Sequence, residues 1–141
     1  MDNLKSKLLK SFENVYEHSR ESGMEASCFQ KLKSDLAVIA NYFDVSQTQA
    51  FFVGLIFGLG YERSNLDMDN IVNHLNCNPV KVLIYSDDID ELYLKGILQN
   101  RRHGKNVGRM DMGRGIAINY KVVEAVLANK PVMPIMPNKP G

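Results

Sequence analysis

Apolar residues recur at intervals of three and four along most of this chain, and at intervals of two over one short stretch near its end. Leu4, Leu8, Phe12, Val15 and Tyr16 mark one face of a first helix, with Gly23 as its stop. Ser27-Cys28-Phe29-Gln30 fits a capping box, in which side chain and main chain satisfy each other at a helix start. Phe29, Leu32, Leu36, Ile39 and Phe43 follow it at helical spacing. Ser46-Gln47-Thr48-Gln49 repeats that opening ahead of residues 50–59, a run of ten residues closed by Gly60. That run is apolar on nearly every side, which predicts a helix at the centre of the core. Gly54 and Gly58 lie four apart on it. The spacing fits either a helix–helix dimer contact or close approach of a neighbouring core helix. Small-residue dimer faces belong to lipid, so close packing is the expectation here.

From residue 65 the pattern predicts a helix, a tight turn, a second helix and a hairpin. Asn65 and Asp67 can cap the first helix, which carries Ile71, Val72 and Leu75 on one face. Asn76-Cys77-Asn78 is short and polar enough to be the turn. Asn78 then caps a new helix with Pro79 at its first position, where a missing N–H costs nothing. Val80, Leu83, Ile84, Ile89, Leu92 and Tyr93 give that helix an expected apolar stripe, and Gly96 after Lys95 ends it. Residues 97–101 read as a strand. Residues 115–120 alternate, with Ile116, Ile118 and Tyr120 on one face. The loop between them holds Gly104, Gly108 and Gly113. The fold class is therefore mainly α with a small β-hairpin: a winged helix-turn-helix with additional N-terminal helices and a C-terminal helix marked by Val122, Val123, Val126 and Leu127.

Charge changes the picture locally. The chain of 141 residues carries a net charge of only +1. Residues 95–121, however, hold Lys95, Arg101, Arg102, Lys105, Arg109, Arg114 and Lys121 against the single acid Asp111, a local +6. Asp87, Asp88, Asp90 and Glu91 form an acidic cluster in the preceding helix. Asp87 and Glu91 share a helical face while Asp88 points elsewhere, and no loop glycine shapes a calcium site, so a solvated face is the expectation. Pro131, Pro134, Pro137 and Pro140 recur every third residue, a period that matches polyproline II. We read residues 1–130 as the folded domain and 131–141 as a proline-spaced linker or tail, with a ligand for an aromatic-lined groove as the other use of that spacing.

No catalytic constellation, phosphate loop or dinucleotide fingerprint is present. His18, His74 and His103 fall in three different elements, and His74 with Cys77 makes two ligands where zinc needs three or four. No cofactor or metal is expected, and no enzyme activity within these residues. Two cysteines, Cys28 and Cys77, suit a reducing cytoplasm. The first five residues lack a signal-peptide core, and the longest apolar run is about half of a membrane span of about 20 residues, so no membrane role is expected.

Two classes of partner fit this pattern, and nucleic acid is the first expectation because it is the commonest use of the motif. A nucleic-acid-binding winged helix would set Arg101, Arg102, Lys105, Arg109 and Arg114 on phosphates, with Asn78 and Lys81 near the groove. A helix bearing four acids is a poor reader of DNA, however, because phosphates repel it. The alternative is a protein-interaction or adaptor domain that docks a protein partner or self-associates.

Ala40-Asn41-Tyr42-Phe43, Ser46-Gln47-Thr48-Gln49-Ala50-Phe51-Phe52, Cys77-Asn78-Pro79 and Tyr85-Ser86-Asp87-Asp88-Ile89-Asp90-Glu91-Leu92 are distinctive runs. Through them, and over most of its length, the chain resembles the amino-terminal domain of a group of bacterial AAA-type ATPases. The resemblance implies a helical, winged-helix-like domain placed ahead of a covalently linked ATPase module. Nucleotide chemistry would then belong to that module, since no nucleotide-binding motif occurs in these residues.

Overall fold

A computed structural model describes residues 4–62, 66–100 and 115–130. The fold is mainly helical with one two-stranded antiparallel sheet. Helix α1 spans Leu4–Ser19, α2 Ala26–Lys31, α3 Lys33–Phe43 and α4 Gln47–Glu62. They are followed by α5 at Met68–Leu75, α6 at Pro79–Leu83 and α7 at Ser86–Leu94. Strands β1 (Leu98–Asn100) and β2 (Ile116–Ile118) precede α8 (Tyr120–Leu127). Among the described residues no helix is long and apolar enough to cross a membrane.

Helix α4 is the hub, as its nearly uniform apolarity predicts. Residues Ala50 to Val53, with Leu55, Ile56 and Leu59, are all buried. Its start is the expected box: the Gln49 main-chain N–H donates to Ser46 Oγ at 3.1 Å, and Ser46 N–H donates to Gln49 Oε1 at 3.0 Å. Helices α1 and α3 pack against it, and the two glycines set how closely α1 approaches. A Cβ on Gly54 would lie 3.1 Å from Val15 Cβ, and one on Gly58 only 2.8 Å from Tyr16 Cβ. Close packing within the chain thus accounts for the four-residue glycine spacing. Gly60 does not end the helix, which runs on to Glu62.

Several expected boundaries move. The box at Ser27 does not form: Glu25 holds the N-cap position and makes no side-chain cap bond. The helix expected from Phe29 onward is divided at Leu32, a fully buried residue at φ −94°, ψ 5°. Main-chain bonds still run through the joint, with Leu32 N–H donating to Cys28 O and Leu36 N–H to Leu32 O. The helix expected from Pro79 to Lys95 is likewise divided, into α6 and α7, with Tyr85 at φ −99°, ψ 19°. The hairpin is shorter than the alternation suggests, and Tyr120 is not a strand residue. Asn119 caps α8, its side chain accepting from Lys121 N–H at 2.9 Å, so Tyr120 opens the helix and is exposed.

The sheet is tied to the helices by its roots. Leu98 pairs with Ile118 and Asn100 with Ile116. Asn119 N–H donates to Ile97 O at 2.8 Å, and Ile116 N–H donates to Leu66 O at 2.7 Å, just ahead of α5. Ile97, Leu98 and Ile116 are buried and fix the sheet to the core. The far end of α8 is anchored by Tyr42, whose hydroxyl donates to Lys130 O at 2.6 Å, and by Asn129, whose Oδ1 accepts from Lys5 N–H at 2.8 Å. The proline-spaced residues 131–141 lie outside the described residues.

Candidate functional site

The part of the fold that meets the outside in the most unusual way is the turn between α5 and α7. It is built from strong local signals. Asp67 caps α5 in a reciprocal box with Asn70, at 3.1 and 2.9 Å. Asn65, the other capping candidate, lies outside the described residues. At the other end Asn76 takes the left-handed conformation (φ 54°) and its N–H closes on Val72 O at 2.8 Å. The loop after α1 then satisfies the last α5 carbonyls: Glu21 N–H donates to His74 O and Gly23 N–H to Leu75 O, both at 2.7 Å. His74 stacks on Tyr16 with ring centroids 4.9 Å apart, its Nε2 3.1 Å from Ser19 Oγ and 3.0 Å from Tyr16 O. His74 is thereby a packing and hydrogen-bonding residue. Burial pushes the Cys77 thiol up, with nearby Lys81 opposing it.

From this fixed turn, α6 projects a face the sequence did not lead us to expect there. Of the expected stripe, Ile89, Leu92 and Tyr93 are buried as predicted, but Val80, Leu83 and Ile84 are not. Val80 is 60% exposed, Leu83 39% and Ile84 70%, while the buried residue of α6 is Val82. The physical reason is helical phase: Val82 lies seven residues before Ile89, two turns back on the same face, whereas Val80, Leu83 and Ile84 fall off that face. The phase carries across the joint, where Tyr85 N–H bonds to Val82 O, three residues away. Tyr85 sits half-buried, its ring 5.9 Å from that of Phe52. A signal was present in the sequence: five of the six residues 80–85 are apolar or aromatic, more than one helical face can hold.

The structure describes Asn78 and Lys81 of the expected nucleic-acid site. Asn78 Oδ1 accepts from Val80 N–H at 2.9 Å as the α6 cap. The Lys81 ammonium is 3.3 Å from Glu25 Oε1. Both flank the exposed Val80–Ile84 patch. Arg101, Arg102, Lys105, Arg109 and Arg114 lie outside the described residues. On the far side of the patch begin the acids of α7. Asp87 is exposed, Asp88 half-buried with its carbonyl accepting from Gln49 Nε2 at 3.1 Å. Glu91 lies 3.9 Å from Lys95, whose ammonium also donates to Asp44 O at 2.7 Å. The result is an apolar surface with a polar border of Asn78, Lys81 and the first acids of α7, set on a hydrogen-bonded turn. Among the described residues no group of three or more His, Cys, Asp or Glu side chains could hold a metal ion.

No family profile matches this chain, and no curated protein or solved structure matches it.

Proposed function

We propose that this chain is a non-catalytic binding domain on the winged-helix plan, and that α6 docks a protein partner. The plan is supported by the order α4, the Leu66–Ile116 main-chain bond, α5, the three-residue turn, α6 with α7, and the paired strands. In such modules the helix after the turn is the one offered to the partner. The observation that carries the protein reading is the exposure of Val80, Leu83 and Ile84 on that helix. Reading base edges needs donors and acceptors, which aliphatic side chains lack. A contiguous exposed apolar patch with a polar border is the ordinary mark of a protein interface. If the resemblance to ATPase amino-terminal domains holds, the partner is the target to which the motor is brought.

The second reading, nucleic-acid binding, keeps one specific support, the +6 of residues 95–121. The two separate experimentally. A photo-cross-linking amino acid placed at Ile84 should yield one recurrent protein adduct in cells, absent when the same group replaces exposed Gln30. Anisotropy with random-sequence duplex DNA from about 50 to 200 mM salt should show no binding. Steeply salt-dependent binding that Arg101→Ala/Arg102→Ala weakens for every sequence, with no adduct at position 84, would transfer the function to the basic segment.

A further inference from the structure

Helix α1 has a second face beside the one it buries. Leu8, Phe12, Val15 and Ser19 point into the core. Leu9, Glu13, Tyr16 and Glu17, one position further round, form a wall of an open groove. Ile56, Phe57 and Gly58 of α4 line its floor, and Ile118 of β2 with Val123 and Leu127 of α8 stands opposite. The groove has a volume of about 640 Å³. Its aromatic lining is already ordered, since the Phe12 and Phe57 rings stack at 4.5 Å. At its Gly58 end the close approach of Tyr16 fixes the wall, because not even a Cβ fits between them.

Charge tells what fits. Among the described lining residues the charged ones are Glu13 and Glu17, and both are acids. They sit four residues apart on α1, one helical turn. Glu13 is 3.3 Å from Lys10, but both side chains are more than 60% exposed, so that pair does little to neutralise the wall. A nucleic-acid backbone or an acidic peptide would be repelled. A helix lying along α1 would present Lys or Arg at the same one-turn spacing, and a groove of this size takes roughly three or four of its apolar anchors.

We propose that the groove between α1, α4, β2 and α8 docks a basic amphipathic helix of a partner protein, with its apolar stripe against Leu9, Phe57, Ile118 and Val123 and its cations on Glu13 and Glu17. The site shares no lining residue with α6 and stands independently of the function proposed for that helix. The probe is a labelled peptide of roughly 18 residues with Leu at i, i+4 and i+7 and Lys flanking them, titrated into the whole chain at low salt. It should bind, and Glu13→Lys/Glu17→Lys should weaken it about tenfold while leaving the melting temperature unchanged, since both residues are exposed. The same peptide with Glu for Lys should bind at least about tenfold more weakly. Amide shifts in NMR spectra should centre on Ala117, Ile118 and Val123. Binding indifferent to either charge swap, shifts centred on Val80 and Ile84, or no binding at about 1 mM would overturn the site. So would self-association in sedimentation that Glu13→Lys/Glu17→Lys abolishes, because the groove would then belong to a second copy.

Discussion

Gly58 shows how much one missing methyl group decides. Alanine is the better helix former by about 1 kcal/mol, so Gly58→Ala should stabilise an isolated helix. Here the new Cβ meets Tyr16 Cβ, an atom anchored to the backbone of α1, at 2.8 Å. Overpacking of that kind costs about 1–3 kcal/mol, so the variant should lose stability in urea, and should lose more than Gly54→Ala, whose neighbour is 3.1 Å away. Equal effects would mean that α1 shifts freely on α4. Tyr42 gives a pH-dependent counterpart. Burial pushes its hydroxyl above the usual range, and the neutral form donates to Lys130 O. Its contribution is intact below about pH 10, where the unfolded tyrosine is also neutral, and is lost as pH rises through the raised folded value. Tyr42→Phe should therefore melt lower than wild type at neutral pH, by about 1 kcal/mol or less. That difference should close in strongly alkaline buffer.

At the scale of the element, caps and stripes behaved differently. The caps at Ser46, Asp67 and Asn78 are local transactions between residues two or three apart, and all three form as the sequence indicates. Ser46→Ala should accordingly cost about 1 kcal/mol. The box at Ser27 was equally well spelled and did not form, because the helix starts one residue ahead of it, at Ala26. The stripe of the helix after the turn was read correctly from Ile89 onward and wrongly before it, because Val80, Leu83 and Ile84 are out of helical phase with Ile89 while Val82, seven residues earlier, is in phase. Two substitutions test the corrected phase. Ile84→Asp should change unfolding free energy by less than about 0.5 kcal/mol, as for other exposed positions. Val82→Ala should cost about 2 kcal/mol, because a buried side chain leaves a cavity. The reverse ranking would restore the continuous stripe.

For the whole molecule, α4 makes one core out of elements distant in sequence. Its Gln49 reaches Asp88 O on α7, while Ile56 and Phe57 reach the groove between α1 and α8. Loss of the Gln49 amide should thus be felt beyond its own helix. Gln49→Leu should cost more than Ser46→Ala, because it leaves the Asp88 carbonyl without this donor as well as opening the cap. It should also raise amide exchange in α7, a readout that a purely local cap would not move.

By itself the chain determined the capped starts of α4, α5 and α6, which helix is central, that a short alternating segment pairs as a hairpin, and that a polar turn separates α5 from the next helix. These follow from capping chemistry and side-chain periodicity, which act over a few residues. Only the tertiary structure decided which apolar residues stay outside. Val80 and Ile84 are as hydrophobic as Val82 and Ile89; helical phase groups Val82 with Ile89, but only the packing decides that this face is the one laid on the core. Their exposure comes from the direction in which the turn, fixed by Tyr16, His74 and the loop carbonyl bonds, sets α6 on the core. The groove was illegible for the same reason. Leu9, Phe57, Ile118 and Val123 are ordinary apolar positions until three helices and a strand bring them to one opening with two acids on its wall.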